Sequence, residues 1–226
     1  MIFAPAANGQ GAPQPSAEPQ HAAPQAAAPG CGVHCGTERW SLKTLTDGDA
    51  GIFTSAHAVD TSVPQLIAQP APAKLPPTSR VPFEKTLVKV RALLIGWKVE
   101  SGPGKDRDFH IVIADPQDKT KQMIVEVPSP TCKGVCSSTF LSHFTQNQSL
   151  VLKTLGQPLP NFQPLAKPWL VEITGPAFFD FDHGQIGLAP NCIEIHPVIT
   201  IQFLSQTTSP VHANSATDLP HTCGTP

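Results

Sequence analysis

The stretch that decides the fold is 88–99, VKVRALLIGWKV. Apolar side chains stand at every second position from 88 to 94, with Lys89 and Arg91 between them. Such alternation is typical of a half-buried β-strand. Beyond Leu94 the apolar positions change phase, to 95, 97 and 99 around Gly96. A change of phase at a glycine predicts a bulge or sharp bend inside one long strand.

Four more strands and one helix follow in the same pattern. The strands are predicted at 108–114, 121–127, 170–175 and 193–201. The helix is predicted at 137–148, with Ser137 or Ser138 as its cap and a helically spaced apolar stripe at Phe140, Leu141 and Phe144. The order is therefore three strands, a helix and two strands.

This order predicts a mainly β protein with an OB-fold-like five-stranded barrel and one helix between strands 3 and 4. A β-sandwich is the main alternative, but five strands are too few for it. We expect four segments: a disordered Ala/Pro-rich tether at 1–34, an irregular arm at 35–80 that packs on the barrel, the barrel domain at 81–204, and a disordered tail at 205–226.

Composition restricts the classes of partner. With 15 basic and 17 acidic residues, the net charge is −2, so the basic footprint of a nucleic-acid-binding protein is missing and nucleic acid is not expected as a partner. No apolar run is long enough to predict a membrane span. The sequence leaves the oligomeric state open.

Six cysteines bear on the cellular compartment. An even number in a Pro/Ser/Thr-rich chain predicts disulfides and an extracytoplasmic location, secreted or periplasmic, although the chain as given shows no signal peptide. The alternative is zinc, because 31–35 and 132–136 are both C-x3-C motifs. Six cysteines can form about fifteen different sets of disulfides, and the sequence does not choose among them.

Five short motifs with polar residues follow one another along the chain: 38–40 (ERW), 43–44 (KT), 108–110 (DFH), 183–184 (HG) and 191–198 (NCIEIHPV). In this order and spacing the chain resembles a family of uncharacterised, mostly exported bacterial proteins, over about residues 35–203. The resemblance implies an OB-like barrel with variable tails. It implies no reaction.

Acid and histidine pairs are the candidates for chemistry. Asp108 and His110 stand two apart, as do Glu194 and His196, so each pair shares one face of its strand. Asp180, Asp182 and His183 lie in or beside the loop between the last two strands. Together these residues have the ligand types of a divalent-metal site, or of a histidine base oriented by a carboxylate. The alternatives are a solvated strand start at 108–110, and a polar outer face or a structural hydrogen bond at 194–196.

A second candidate is a binding site in the arm. Lys43 and Thr44, beside Trp40, have the groups to contact a phosphate or carboxylate of a ligand. Alternatively, Trp40 packs the arm onto the barrel and Lys43 pairs with a carboxylate of the protein.

No recognised catalytic motif is present, so the sequence leaves open whether the protein is an enzyme. The preferred hypothesis is a non-catalytic binding or accessory module for a small ligand or a protein partner. The alternative is a metal-assisted hydrolase acting on phosphoesters, nuclease-like, through the Asp/Glu/His residues and a divalent metal. A third hypothesis is that these residues form a structural polar network.

Overall fold

Strands dominate the chain, as the alternating patterns predict. A computed structural model describes residue 1 and residues 32–102, 104–214 and 220–225. The predicted tether at 1–34 lies outside the described residues except at Met1 and 32–34. No helix in the described ranges is long and apolar enough to cross a bilayer.

The described residues form seven strands and three α-helices. The strands are β1 (Val59–Thr61), β2 (Leu87–Val99), β3 (Phe109–Ala114), β4 (Gln122–Val127), β5 (Gln163–Phe179), β6 (Ile193–Ile195) and β7 (Thr200–Gln206). The helices are α1 (Trp40–Lys43), α2 (Val63–Ile67) and α3 (Leu141–Leu155), with short 3-10 turns at Ala50–Thr54, Pro82–Lys85 and Val135–Ser137.

All seven strands belong to one mixed sheet in the order β1-β2-β3-β4-β6-β5-β7, and β2 also pairs with β5. Strands β2, β3 and β4 form an antiparallel meander, whereas β4 and β6 are parallel. The predicted phase change in β2 is confirmed, because its register against β3 and β5 shifts between Leu94 and Gly96. A Cβ at Gly96 would lie 2.3 Å from the Phe162 ring, so only glycine fits this bend.

The prediction of five strands is wrong. The arm contributes β1, which pairs in parallel with β2. The predicted strand 193–201 is two strands, because the chain turns at His196–Pro197, where the peptide is cis and proline offers no N–H to a ladder. As a result, β6 pairs with β4 and β5, while β7 pairs only with β5 among the described strands.

The helix α3 lies between β4 and β5 as predicted, but it begins and ends later. Its first residue is Leu141, and neither Ser137 nor Ser138 caps it, because 135–137 form a separate 3-10 turn and Ser138 is extended. Ser138 Oγ instead accepts a hydrogen bond from Phe140 N at 3.2 Å. Of the predicted stripe, Phe140 and Phe144 are buried, whereas Leu141 is half-buried.

The arm is fastened to the sheet by a buried ion pair. Arg39 Nη1 and Nη2 lie 2.7 and 2.8 Å from the two carboxylate oxygens of Glu84, and both side chains are almost fully buried. Arg39 also donates to Phe179 O, and Glu84 accepts from Phe179 N, so the pair reaches the end of β5. A planar guanidinium makes this two-pronged contact, which an ammonium group lacks.

Two disulfides join distant parts of the described chain. Cys35 of the arm bonds to Cys132, and Cys192 bonds to Cys223. The disulfide prediction is confirmed for these cysteines, and no described cysteine is free. Zinc at the C-x3-C motifs is wrong for Cys35 and Cys132, because their sulfurs are bonded to each other. The C-terminal segment contacts the body at Cys223 and at buried Val211.

Gly175 on β5 tests how tightly the His196–Pro197 segment packs. A Cβ at this position would lie 2.5 Å from Pro197 O and 2.6 Å from Ile195 Cγ2. We expect Gly175→Ala to lower the free energy of unfolding by about 1–3 kcal/mol, because backbone must move to admit the methyl group. Urea denaturation with disulfides intact measures the change.

Gly51→Ala is the matched control, since nothing lies within 4 Å of a Cβ there and its φ is not positive. It should cost no stability. Equal unfolding midpoints for the two variants would contradict the close packing at Gly175.

Candidate functional site

A row of charged side chains crosses three strands at the same level. The register pairs Lys98 of β2 with His110 of β3, and His110 with Glu126 of β4, so the three lie on one face. His110 Nδ1 is 3.1 Å from Glu126 Oε1, and His110 Nε2 donates to Ile186 O at 2.9 Å. Lys98 Nζ contacts Glu100 Oε1 at 2.9 Å. The meander itself therefore places these groups.

Glu126 connects this row to a second, deeper group around His196. His196 Nδ1 lies 3.3 Å from Glu126 Oε2 and 3.7 Å from Glu194 Oε2, while His196 Nε2 lies 3.3 Å from Asp108 Oδ2. Asp108, Glu194 and His196 are at most 1% exposed, and Glu126 is 6% exposed. We call Asp108, Glu126, Glu194 and His196 the inner cluster.

Polar atoms in the inner cluster are close together without forming hydrogen bonds. Asp108 Oδ2, Glu194 Oε2 and both ring nitrogens of His196 are buried and lack a hydrogen-bond partner within the described part of the chain. Buried polar groups are nearly always hydrogen-bonded, and the exceptions call for an explanation such as an ion or a water. The inner cluster therefore has four atoms with unused bonding capacity.

Lys43, the last residue of α1, brings a positive charge from the arm. Its Nζ lies 3.2 Å from Asp106 Oδ2 and 3.0 Å from Asp180 Oδ2, and the side chain is only 6% exposed. Burial lowers the pKa of an ammonium group, but the carboxylates of Asp180 and Asp106 outweigh burial and hold the pKa of Lys43 well above its usual value. Lys43 is therefore charged and fixed between two acids.

The carboxylic acids in this region resist ionisation. Burial, together with the nearby charge of Glu126, raises the pKa of Asp108 and that of Glu194 well above the usual range. Burial also raises the pKa of Asp106 to about 6, against the opposing effect of Lys43. For His196, burial lowers the pKa well below its usual value, and Lys43 and Arg80 lower it further. No lysine or arginine among the described residues forms an ion pair with the carboxyl groups of the inner cluster.

A cleft opens above the row of charged side chains. It has a volume of about 480 Å³, and Lys43, Glu100, Glu126 and Asp180 are part of its lining. The rest of the lining consists of Thr37, Glu38, Lys98, Gly104, Lys105, Asp106, Pro160, Asn161, Phe162, His183, Gly184, Gln185 and Ile186. Glu126 connects the cleft to the inner cluster, because one of its carboxylate oxygens faces His110 and the other faces His196.

The fold brings together three of the four residues predicted to carry catalysis. Asp108, Glu194 and His196 meet in the inner cluster, and His110 joins it through Glu126. The alternatives of a solvated strand start and a polar outer face are wrong, because Asp108, His110, Glu194 and His196 are all buried. The alternating pattern predicted that each acid and histidine pair shares a face of its strand, but it did not predict that this face is buried.

The residues predicted to bind a ligand are dispersed. Lys43 and His183 line the cleft, and His183 Nε2 contacts Glu38 Oε2 at 2.8 Å. Asp182 lies 3.4 Å from His221 Nδ1. Trp40 Nε1 donates to Lys133 O at 2.7 Å, and Thr44 Oγ1 donates to Trp40 O at 2.9 Å, so neither side chain turns to the cleft.

Glu126 and Glu100 belong to the site, but the sequence motifs did not predict them. Glu126 is the one acid in β4, QMIVEV, where every other residue is apolar or an amide. A lone carboxylate in a fully buried strand was the available signal, since charges are almost never fully buried unless they are paired. Glu100 follows β2 directly and gave no such signal.

Three groups among the described residues have ligand atoms close enough to hold a metal ion. They are Glu38–Asp180–His183 at the cleft mouth, Glu100–His110–Glu126 in the row, and Asp108–Glu126–His196 in the inner cluster. In each group the three ligand atoms lie within 4.8 Å of one another. Only the third is buried throughout.

Removing the charge of Lys43 tests whether this charge is needed to keep Asp106 and Asp180 stable in their places. We expect Lys43→Met to lower the free energy of unfolding by about 3–5 kcal/mol, because Asp106 and Asp180 would be left buried without their cation. The measurement is urea denaturation at neutral pH. Lys89→Met is the matched control, since Lys89 pairs with exposed Asp60 and should change nothing measurable. Equal effects in the two variants would contradict the role given to Lys43.

Comparisons with known proteins found no match: no protein-family model matches the chain, and no curated protein and no solved structure is similar to it. The resemblance to exported bacterial proteins therefore stays a prediction. No family is assigned, and the function has to be argued from the site itself.

Proposed function

We propose that this protein is an exported, non-catalytic binding module whose ligand occupies the cleft above Glu126. The observation that carries the proposal is the cleft itself, with a volume of about 480 Å³ and a lining held by strands and ion pairs. Pockets for small molecules have volumes of about 300–1,000 Å³ and are largely preformed. The ion pairs of Lys43 with Asp106 and Asp180 hold this part of the lining in place, which supports a preformed pocket.

The charges of the lining favour a ligand with an ammonium group. Among the described lining residues, the carboxylates are Glu38, Glu100, Asp106, Glu126 and Asp180, and the lysines are Lys43, Lys98 and Lys105. Five acids against three lysines leave the cleft negative, and Lys43 and Lys98 are already paired with acids of the protein. A small amine, or a lysine side chain of a partner protein, has the complementary charge.

An OB-like barrel is the fold that we propose for the module. Strands β2, β3, β4, β6 and β5 pair in that order, and β5 pairs again with β2. The helix α3 lies between the third and fourth of these strands in the chain, as in OB-folds. Supporting the proposed export, disulfides persist in oxidising compartments.

The alternative, a metal-assisted hydrolase, is less well supported by the geometry. Of the ligands in the inner cluster, only Glu126 lines the cleft. Asp108 and His196 are wholly buried, so neither touches a substrate in the cleft. Asp182 and His183, which the hydrolase hypothesis adds to the site, contact His221 and Glu38 instead. A binding role needs none of these residues to react.

An amide NMR titration with an aliphatic diamine tests the cleft. We expect shifts in the amides of Phe162, Gln185 and Ile186, which line it. Glu100→Gln should weaken binding about tenfold, because one charge-assisted contact is lost. Glu172→Gln, on β5 and outside the lining, is the matched control and should bind like the parent protein.

Shifts confined to other surfaces, or equal weakening in both variants, would contradict the proposal. A lysine-containing peptide in place of the diamine separates the two sources of the amine. Tighter binding of the peptide would point to a protein partner, and tighter binding of the diamine to a small ligand.

A further inference from the structure

The inner cluster holds two buried carboxyl groups, Asp108 and Glu194, that are not paired with a lysine or arginine of the described residues. Lys43 pairs with Asp106 and Asp180, Arg39 with Glu84, and Arg80 with Asp47. For Asp108 and Glu194, the described residues offer no lysine or arginine within ion-pair distance. Buried carboxylates without a partner are costly, so they take up a proton or bind a cation.

We propose that Asp108, Glu126 and His196 bind one divalent transition ion, with Glu194 as a further carboxylate beside it. The inference concerns the interior below the cleft and does not depend on what the cleft binds. It goes beyond the binding module, because the ion joins the start of β3, the end of β4 and the turn at His196–Pro197. Its role is to hold these segments together.

Ligand atoms of the three residues lie near one another. Asp108 Oδ2 is 3.3 Å from His196 Nε2, and Glu126 Oε2 is 3.3 Å from the other ring nitrogen, Nδ1. A histidine gives one nitrogen to an ion, and one atom from each residue lies within 4.8 Å of the other two. The set has to contract on binding, because neighbouring ligands of a tetrahedral ion with bonds of about 2.0–2.1 Å are roughly 3.3 Å apart. Asp108 Oδ2 and both ring nitrogens of His196 are buried and have no hydrogen-bond partner among the described residues.

Contacts behind the ligands orient them, as in established metal sites. Asp108 Oδ1 accepts a hydrogen bond from Ser129 N at 3.0 Å, which leaves Oδ2 to face His196. Glu126 Oε1 is held by His110, which leaves Oε2 to face His196. His110 is itself fixed by Ile186 O. Such outer contacts orient metal ligands and tune their basicity.

The type of ligand favours one class of ion. Carboxylate oxygens suit Mg²⁺, Ca²⁺ and Mn²⁺, whereas imidazole nitrogen suits Zn²⁺ and other transition ions. The mixture of oxygens with one imidazole therefore favours Mn²⁺ or Zn²⁺ over Ca²⁺. Glu126 lines the cleft and gives the ion a path from solvent to the interior.

Metal content of the untagged, disulfide-intact full chain tests the proposal. The protein is dialysed against MnCl₂ or ZnCl₂, desalted and assayed by mass spectrometry. We expect about one tightly held ion per chain, and more than tenfold weaker binding in Asp108→Asn, which keeps the side-chain volume but removes the charge. His183→Ala is the matched control, since His183 is exposed, belongs to the group at the cleft mouth and should not affect the ion.

Two measurements on the parent protein keep the test decisive if Asp108→Asn fails to fold. The melting temperature should rise by about 5–10 °C at a hundredfold excess of Mn²⁺ over its dissociation constant, and Ca²⁺ at the same concentration should raise it less. Pulsed EPR of bound Mn²⁺ should show modulation from a coordinated imidazole nitrogen. His183→Ala should keep that modulation.

Several results would overturn the proposal. If the parent protein binds no ion, protons neutralise the inner cluster and the proposal fails. If Asp108→Asn folds and keeps the ion, or if His183→Ala loses it, the ion lies elsewhere. Bound Mn²⁺ without imidazole modulation would exclude His196 as a ligand.

Discussion

Lys43 pairs with two carboxylates, Asp106 and Asp180, in the lining of the cleft, and its own side chain is only 6% exposed. The arm has to close over the sheet for this contact to form, because Lys43 ends α1 while Asp180 follows β5. Charge compensation thereby couples the arm to the sheet. The buried pair of Arg39 and Glu84 makes a second connection of the same kind, and the disulfide from Cys35 to Cys132 makes it covalent.

The need to compensate buried charges also shapes the site. Strand register sets His110 beside Glu126, and the turn after β6 sets His196 against the other oxygen of Glu126. A single carboxylate thus belongs to the cleft lining and to the inner cluster at once. Because Lys43 is occupied, Asp108 and Glu194 have either to keep a proton or to share the divalent ion that we propose.

Local patterns in the sequence predicted much of the fold. The bend at Gly96 follows from side-chain period, and so do β3, β4 and the place of α3 in the order. The break at His196–Pro197 was missed because an apolar alternation continues through it. Burial of the acid and histidine pairs was also missed, since alternation fixes which residues share a face and not what covers that face. Glu126 became significant only through pairing across strands.

The most direct test of the account is a crystal structure of the full chain grown with Mn²⁺, with anomalous diffraction data. The account predicts one strong anomalous peak about 2.0–2.3 Å from Asp108, Glu126 and a ring nitrogen of His196. Density for a water without anomalous signal, hydrogen-bonded to the same atoms, would contradict it. So would anomalous peaks found only at the cleft-mouth group of Glu38, Asp180 and His183.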